Sequence, residues 1–252
     1  MWNKSKVSTI GYTLLSYGII LGVWQVLTYF FSPLIIPRIP TVVACIKEIF
    51  TTATLYEMIL LTTQRLIIGL GSGVLLGTIL GLLMGYNSVI RKLLFPIINI
   101  FQTVPPVSWL VLALVWFGFN GKPVIFIIVT TTAPIMAITL CEGIPTIDNS
   151  LLNMARLYQF SFKKKLLHII IPSILPHLRS GFQIALGNGW KIAVMGEVLT
   201  ANDGIGGMIK NARINVAPEY VVAWSIVTVL LFYLSDIILK ICIPRKGGSP
   251  SC

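Results

Sequence analysis

The sequence predicts an all-α polytopic membrane protein with about six transmembrane helices, and three observations carry that expectation. The chain has 252 residues, of which 56% are hydrophobic and only 11% charged; soluble domains carry about 25% charged residues. Its mean hydropathy is +0.88. Apolar runs long enough to cross hydrocarbon, which takes about 20 residues, recur at roughly 10–31, 62–86, 93–118, 123–143, 175–199 and 220–242. Backbone N–H and C=O groups find no water inside a bilayer, and these runs are too long for barrel strands, so each is expected to be a helix. A single transmembrane domain over 1–252 is the expected organisation, with a polar loop at about 145–176.

The net charge of +11 could mark a nucleic-acid binder. In a chain this apolar, the enrichment of Lys and Arg in cytoplasmic loops accounts for it better, and no nucleic-acid partner is expected. With the N-terminus inside, the cytoplasmic side holds Lys4, Lys6, Arg91, Lys92, Arg156, Lys163, Lys164, Lys165, Arg179, Lys240, Arg245 and Lys246. The other side holds only Arg38, Lys47, Lys122, Lys210 and Arg213. Both termini are therefore expected in the cytoplasm of a multi-pass cell-membrane protein.

The first apolar run, Ile10 to Phe31, is too long for a signal-peptide core, and no A-x-A-like site follows it, so a retained span is expected. The second carries Gly69, Gly73, Gly77, Gly81 and Gly85 at every fourth position, with Gly71 beside them. Residues at i and i+4 share one helix face, and such a stripe of small residues lets another helix approach closely in lipid. Arg65, near the outer end of this span, could snorkel to the headgroups.

The third run contains Gln102-Thr103-Val104-Pro105-Pro106-Val107-Ser108-Trp109. Two prolines remove two donors and clash with the preceding turn, so this helix should kink or unwind. Broken helices near mid-membrane often line a cavity, which makes Gln102 and Trp109 candidate cavity residues; a plain structural bend accounts for the prolines equally well. The fifth run holds Lys191 and Glu197, six residues apart and so not quite on one face. Ionisable residues inside spans are costly and usually functional.

The polar island from Pro145 to Pro176 has the pattern of two short helices. Asp148 or Asn149 can cap the first, and Ser161 a second running from Lys163 to Ile170 and stopped by Pro172 and Pro176.

Catalytic signatures are missing. Gly118-Phe119-Asn120-Gly121-Lys122-Pro123 lacks the spacing and the Ser or Thr of a phosphate-binding loop. Gly204-Ile205-Gly206-Gly207 reads as a turn, and His168 and His177 as surface histidines. Cys45, Cys141, Cys242 and Cys252 are far apart, which indicates neither a disulfide framework nor a metal site. No catalytic residues are assigned and no enzymatic activity is expected. Proton pumping would want a chain of carboxylates, and only Glu197 lies deep enough.

Within the island, Asn153-Met154-Ala155-Arg156-Leu157-Tyr158-Gln159-Phe160-Ser161, followed by Ile171-Pro172 and Leu175-Pro176, resembles the "EAA" loop of ABC importer permeases. Further matches occur in order: Ile36-Pro37-Arg38-Ile39-Pro40-Thr41, Gly81-Leu82-Leu83-Met84-Gly85 before Arg91-Lys92, Val104-Pro105-Pro106, and Trp116-Phe117-Gly118. They continue through Ala185-Leu186-Gly187 with Trp190, and Glu197-Val198-Leu199 running into Gly204-Ile205-Gly206. Over roughly 36–240 the chain is similar to permeases of the sulfonate, taurine and nitrate importers. Asn153 stands where the pattern has Glu, and Gln159 where it has Gly.

The resemblance implies a type I ABC importer permease fold. It also implies cytoplasmic ABC ATPase subunits that dock on the island, an extracellular or periplasmic substrate-binding protein, and a second permease copy, all within membrane lipid. Cofactors are none in this chain, ATP and magnesium being used by the partner ATPase. Asn153, Ala155, Gln159, Phe160 and Ser161 are the implied coupling residues. Gln102, Trp109, Asn188 and Lys191 are the substrate-pathway candidates. Cargo of this subfamily includes alkanesulfonates, taurine, nitrate and bicarbonate, and related permeases carry thiamine pyrimidine precursors or riboflavin. Lys191 suits an anion, since a cation in a low-dielectric cavity attracts negative charge, but it could equally pair with Glu197 or with a partner helix. An ion-coupled carrier would call for inverted repeats, and a membrane-embedded enzyme for a catalytic set; neither is found.

Overall fold

A computed structural model describes residues 2–242; Arg245, Lys246 and Cys252 lie outside the described residues. The chain is helical throughout them: α1 (Trp2–Phe30), α2 (Ile39–Thr51), α3 (Ala53–Tyr86), α4 (Ser88–Thr103), α5 (Pro106–Phe117), α6 (Lys122–Gly143), α7 (Asn149–Leu157), α8 (Phe162–Lys165), α9 (Ile171–Thr200), α10 (Gly204–Ile214) and α11 (Pro218–Cys242). Five stretches are long and apolar enough to cross a membrane: Gly11–Phe30, Ala53–Tyr86, Lys122–Thr146, Lys163–Thr200 and Pro218–Ile241. The sixth expected span is the pair α4 and α5, bent by 92° at the prolines. The break is local in origin. Val104 and Pro105 are extended, and Pro106 opens α5 at the first-turn position where a missing N–H costs nothing.

The glycine stripe on α3 does what its spacing predicts. A Cβ on Gly69 would meet Ile128, one on Gly73 would meet Thr132, and ones on Gly77 and Gly81 would strike the backbone carbonyls of Ala133 and Ala137. Thus α3 and α6 pack backbone to backbone along several turns. Around this pair, Ile49 of α2, Leu66 of α3, Trp190 and Ala193 of α9, Ile205 of α10 and Trp224 of α11 form the principal buried core. The first helix stands largely apart, holding on through Trp24, whose indole N–H donates to the Pro37 carbonyl at 3.1 Å. Cys45 and Cys141 are free, buried thiols.

The island differs from expectation in one respect. The helix that begins at Phe162 is not stopped by Pro172 and Pro176 but runs on through α9 to Thr200. A wide π turn, Leu166–Ile170, makes this possible: the Ile171 N–H reaches back to Leu166 C=O. That shift of register ends immediately before Pro172, so the ring that cannot donate arrives at the start of a fresh turn. Pro176 then removes a single ladder bond within a helix whose neighbouring turns persist.

Candidate functional site

The break between α4 and α5 opens one wall of a cleft of about 420 Å³, lined by Phe101, Gln102, Val104, Pro106, Thr131, Ile135, Asn188, Lys191 and Ile192. Three of the four pathway candidates, Gln102, Asn188 and Lys191, therefore come together. They arrive from two helices: Gln102 from the last turn of α4, and Asn188 and Lys191 from neighbouring positions on α9. Trp109 is not among the lining residues. Its ring stacks on Phe101 with centroids 4.8 Å apart and planes within 4°, so it backs the cleft wall, and its indole nitrogen is buried without a partner among the described residues. Lys191 is exposed to the cleft, and no carboxylate among the described residues pairs with it.

Glu197 is committed elsewhere. Its Oε1 accepts from Arg65 Nη1 at 2.8 Å, and its Oε2 accepts from the Thr62 hydroxyl at 2.8 Å and the Gly206 N–H at 3.0 Å. The Arg65 Nη2 donates to Asp203 Oδ1 at 2.8 Å, and Thr62 Oγ1 accepts from the Ile205 N–H at 2.8 Å. Two sequence expectations are corrected here. Arg65 does not snorkel: it is 9% exposed, because two carboxylates and a close contact with Gly121 hold it inside. The glycine-rich segment after Asp203 is not a plain turn. It begins α10, whose first three N–H groups, unpaired within the helix, donate to Met58 Sδ, Thr62 Oγ1 and Glu197 Oε2 in turn. Gly204 takes φ +76° against the Glu197 carboxylate, a backbone that a side chain would strain and a space that it would fill. Glu197 thus ties its own helix to α3 and α10 and is not a candidate proton carrier.

Sequence reading also passed over a second buried acid. Asp236 of α11 accepts from Gln183 Nε2 at 3.1 Å and pairs with Lys240 at 2.6 Å. On the same pair of helices, Trp190, two turns beyond Gln183, donates to Ser235 at 3.0 Å. The i,i+4 spacing of Asp236 and Lys240 was visible in the chain; the cross-helix partner was not.

The island is built by its caps. Asp148 Oδ1 accepts from the Ser150 N–H at 2.7 Å, and that bond holds the Asp148 carboxyl below the usual carboxylate range. At the other end, the Gln159 N–H donates to Arg156 C=O at 3.1 Å and the Phe160 N–H to Ala155 C=O at 2.9 Å, with Gln159 at φ +49°. This is the double reversal that usually carries glycine at the left-handed position. Gln159 adopts the conformation that glycine would supply and bears its steric cost. Ser161 Oγ faces the Lys164 N–H at a long 3.4 Å.

Burial divides the five coupling candidates. Ala155 and Phe160 pack inward with Leu140, Ile144, Ile169 and Ile174, clamping the island onto the end of α6. Asn153, Gln159 and Ser161 are exposed, and Asn153 Oδ1 accepts from Arg156 at 3.5 Å. Beside them the structure brings out Leu157 and Tyr158, 83% and 72% exposed, which sequence reading left unassigned. Of the two histidines, His168 Nδ1 lies 3.1 Å from the Lys164 carbonyl of its own helix, and His177 Nε2 lies 3.2 Å from Thr146 Oγ1.

The family model described as "Binding-protein-dependent transport system inner membrane component" matches residues 73–248. The taurine transport system permease protein of Escherichia coli is 28% identical over 246 residues, 95% of this chain and 89% of that protein. A putative aliphatic sulfonates transport permease protein of the same organism is 32% identical, over 86% of this chain and 84% of that one. The nitrate import permease protein of Synechococcus elongatus is 32% identical, over 77% and 73%. Among solved structures, an ABC transporter involved in import of the polysaccharide alginate matches the fold with a TM-score of 0.62 at 16% identity, over 97% of this chain and 99% of that one. The MetNI methionine ABC transporter, in inward-facing form, matches at 0.59 and 20% identity, over 73% and 93%.

Proposed function

Because the chain belongs to the family of binding-protein-dependent transport system inner membrane components, we propose that it passes a small organic or inorganic anion, of the sulfonate, taurine or nitrate kind, through the cleft at the α4–α5 break. It is a multi-pass membrane permease subunit of an ABC importer, and an importer of this kind works with an ATPase and a substrate-binding protein. The observation that carries the anion assignment is Lys191, a cation facing the cleft with Gln102 and Asn188 beside it and no carboxylate among the described residues to neutralise it. A charge-assisted hydrogen bond in a site of low dielectric is stronger than its neutral counterpart. Phe101, backed by Trp109, gives the same cleft an apolar side, which suits a short organic tail. The names of the relatives point to the same cargo class.

In this reading the protein is a conduit rather than an enzyme. It binds neither ATP nor magnesium, which serve the partner ATPase on the cytoplasmic side. Two copies form the pathway, both termini lie in the cytoplasm of a bacterial inner membrane, and the island docks on the ATPase. Closure of the ATPases moves the islands together and turns the cleft outward; hydrolysis returns it. The unbroken helix from Phe162 to Thr200 supports this route, since it joins the island to Asn188 and Lys191 without a flexible joint. The inward clamp of Ala155 and Phe160 supports it too, because a docked push then reaches α6 as well.

The test is reconstitution of the chain with its ATPase and binding protein in vesicles. Uptake of a radiolabelled anion that requires ATP and survives collapse of the ion gradient is the expected result. Accumulation by this chain alone, or uptake confined to neutral vitamin precursors, would overturn the proposal.

A further inference from the structure

Away from the cleft, α3, the start of α4, the π turn and α9 enclose a second hollow of about 730 Å³. Its walls are Leu82 and Tyr86 of α3, Ile90 of α4, and Ile170, Ile174 and Leu178 along the long helix. None of these lines the translocation cleft. Leu166 and Leu178, both in the wall, are twelve residues apart, which at 1.5 Å per helical residue makes the slot about 18 Å deep. It is therefore long and mostly apolar; away from Tyr86 and Asn87 its one polar side chain is Thr78, whose hydroxyl is buried with no partner among the described residues.

The mouth is different. Tyr86, Asn87 and Leu166 mark it, with Arg91 and Lys92 in the first two turns of α4 and Lys163, Lys164 and Lys165 immediately ahead of Leu166. No carboxylate among the described residues pairs with any of these five cations. The one carboxylate of the island, Asp148, is engaged in capping α7.

We infer that this slot holds an anionic phospholipid of the membrane leaflet at that end, one acyl chain lying along Leu82, Ile174 and Leu178 and the phosphate among the cations at the mouth. Juxtamembrane clusters of Lys and Arg attract anionic headgroups, and burial of each chain methylene adds to this. A second copy of this chain is the poorer occupant, since it would bring the same cations to the same depth. The slot wall is also the stem that joins the island to α9, so the lipid braces the π turn. The inference rests on the membrane-spanning fold and not on the import reading.

The experiment uses the full-length chain in phosphatidylcholine vesicles carrying a trace of acyl-chain spin-labelled phosphatidylglycerol or spin-labelled phosphatidylcholine, without nucleotide. The expected result is several-fold more motionally restricted phosphatidylglycerol than phosphatidylcholine. Replacing Lys163, Lys164 and Lys165 together by Gln should abolish that preference. Leu83→Trp, at a lining position 47% exposed and able to accept bulk without unfolding the core, should lower the restricted fraction with the cations intact. Lys210→Gln, outside the slot, should change nothing. Equal restriction of the two lipids, a preference that survives both the lysine and the Leu83 variants, or disulfide cross-linking of Leu175→Cys between two copies would overturn it.

Discussion

Arg65 and Glu197 are 132 residues apart in the chain, yet their guanidinium and carboxylate meet at 2.8 Å with the Glu197 side chain wholly enclosed. This pair, with Thr62, Asp203 and the N–H of Gly206, ties α3, α9 and α10 at one end of the bundle. Removing one member of a buried pair leaves the other charge stranded, at a cost of about 3–5 kcal/mol. Glu197→Ala should therefore lower thermal stability in detergent sharply, and Arg65→Ala by a similar amount. In the double variant the loss should be well below the sum, which a double-mutant cycle measures. Additive losses would show that the two side chains do not act as a pair.

Lys191 is the cleft residue whose charge the transport proposal needs. Loss of a hydrogen bond to a charged group costs about 1.5–3 kcal/mol, so Lys191→Gln should weaken anion uptake about ten- to a hundred-fold, chiefly through KM, with Lys191→Arg retaining most of it. Basal ATPase activity of the assembled importer should be unaffected. An uptake curve identical to that of the unaltered protein would remove Lys191 from the pathway.

The glycine stripe offers an internal contrast. A methyl at Gly77 would run into the Ala133 carbonyl, whereas one at Gly71, on the same helix, meets open space. Overpacking costs about 1–3 kcal/mol, so Gly77→Ala should destabilise the folded chain by that order. Gly71→Ala should be neutral or stabilising by a few tenths, since alanine is the better helix former. Thermal unfolding of the two variants side by side checks this.

Gln159 bears a left-handed backbone that costs a side chain about 1–2 kcal/mol. Gln159→Gly should relieve it and raise the protection of the α7 amides in hydrogen exchange, while a β-branched residue there should lower it. At the other end of the helix, Asp148 ionises more readily in the folded chain than in the unfolded one, because its carboxylate accepts the Ser150 N–H. That cap is at full strength above the ordinary carboxylate range and fades as pH falls through the depressed value. The protection factors of the α7 amides, taken relative to intrinsic exchange at each pH, should therefore hold steady from neutral to mildly acidic pH and fall only in stronger acid.

Leu157 and Tyr158 point outward from the island, whereas Phe160 points in. Leu157→Asp or Tyr158→Asp should abolish ATPase binding while the chain inserts and melts normally, read by co-purification with the ATPase. Phe160→Asp should stop transport by a different route, loosening the island from Leu140 and Ile144, and should lower island protection as well. Normal assembly in all three variants would dismiss the island as the docking element.

What could be read along the chain was local chemistry. Hydropathy marked the spans, Pro105 and Pro106 marked the 92° break, the four-residue glycine period marked the α3–α6 contact, and Asp148 marked a helix start. Each depends on neighbours within a few turns, where spacing alone dictates geometry. The island motif and its ordered companions carried the family in the same way. Tertiary structure decided the rest. Pro172 stops a regular helix, but the π turn ahead of it lets the stem run on into α9. Arg65 at a span end could reach headgroups, until Glu197 and Asp203 are brought within 2.8 Å of it. Lys191 and Glu197 share a helix and look like partners, but six residues turn them to different faces, one toward the cleft and one toward α10. A charge in lipid must find its counter-charge wherever packing places it, and that placement is a property of the assembled helices.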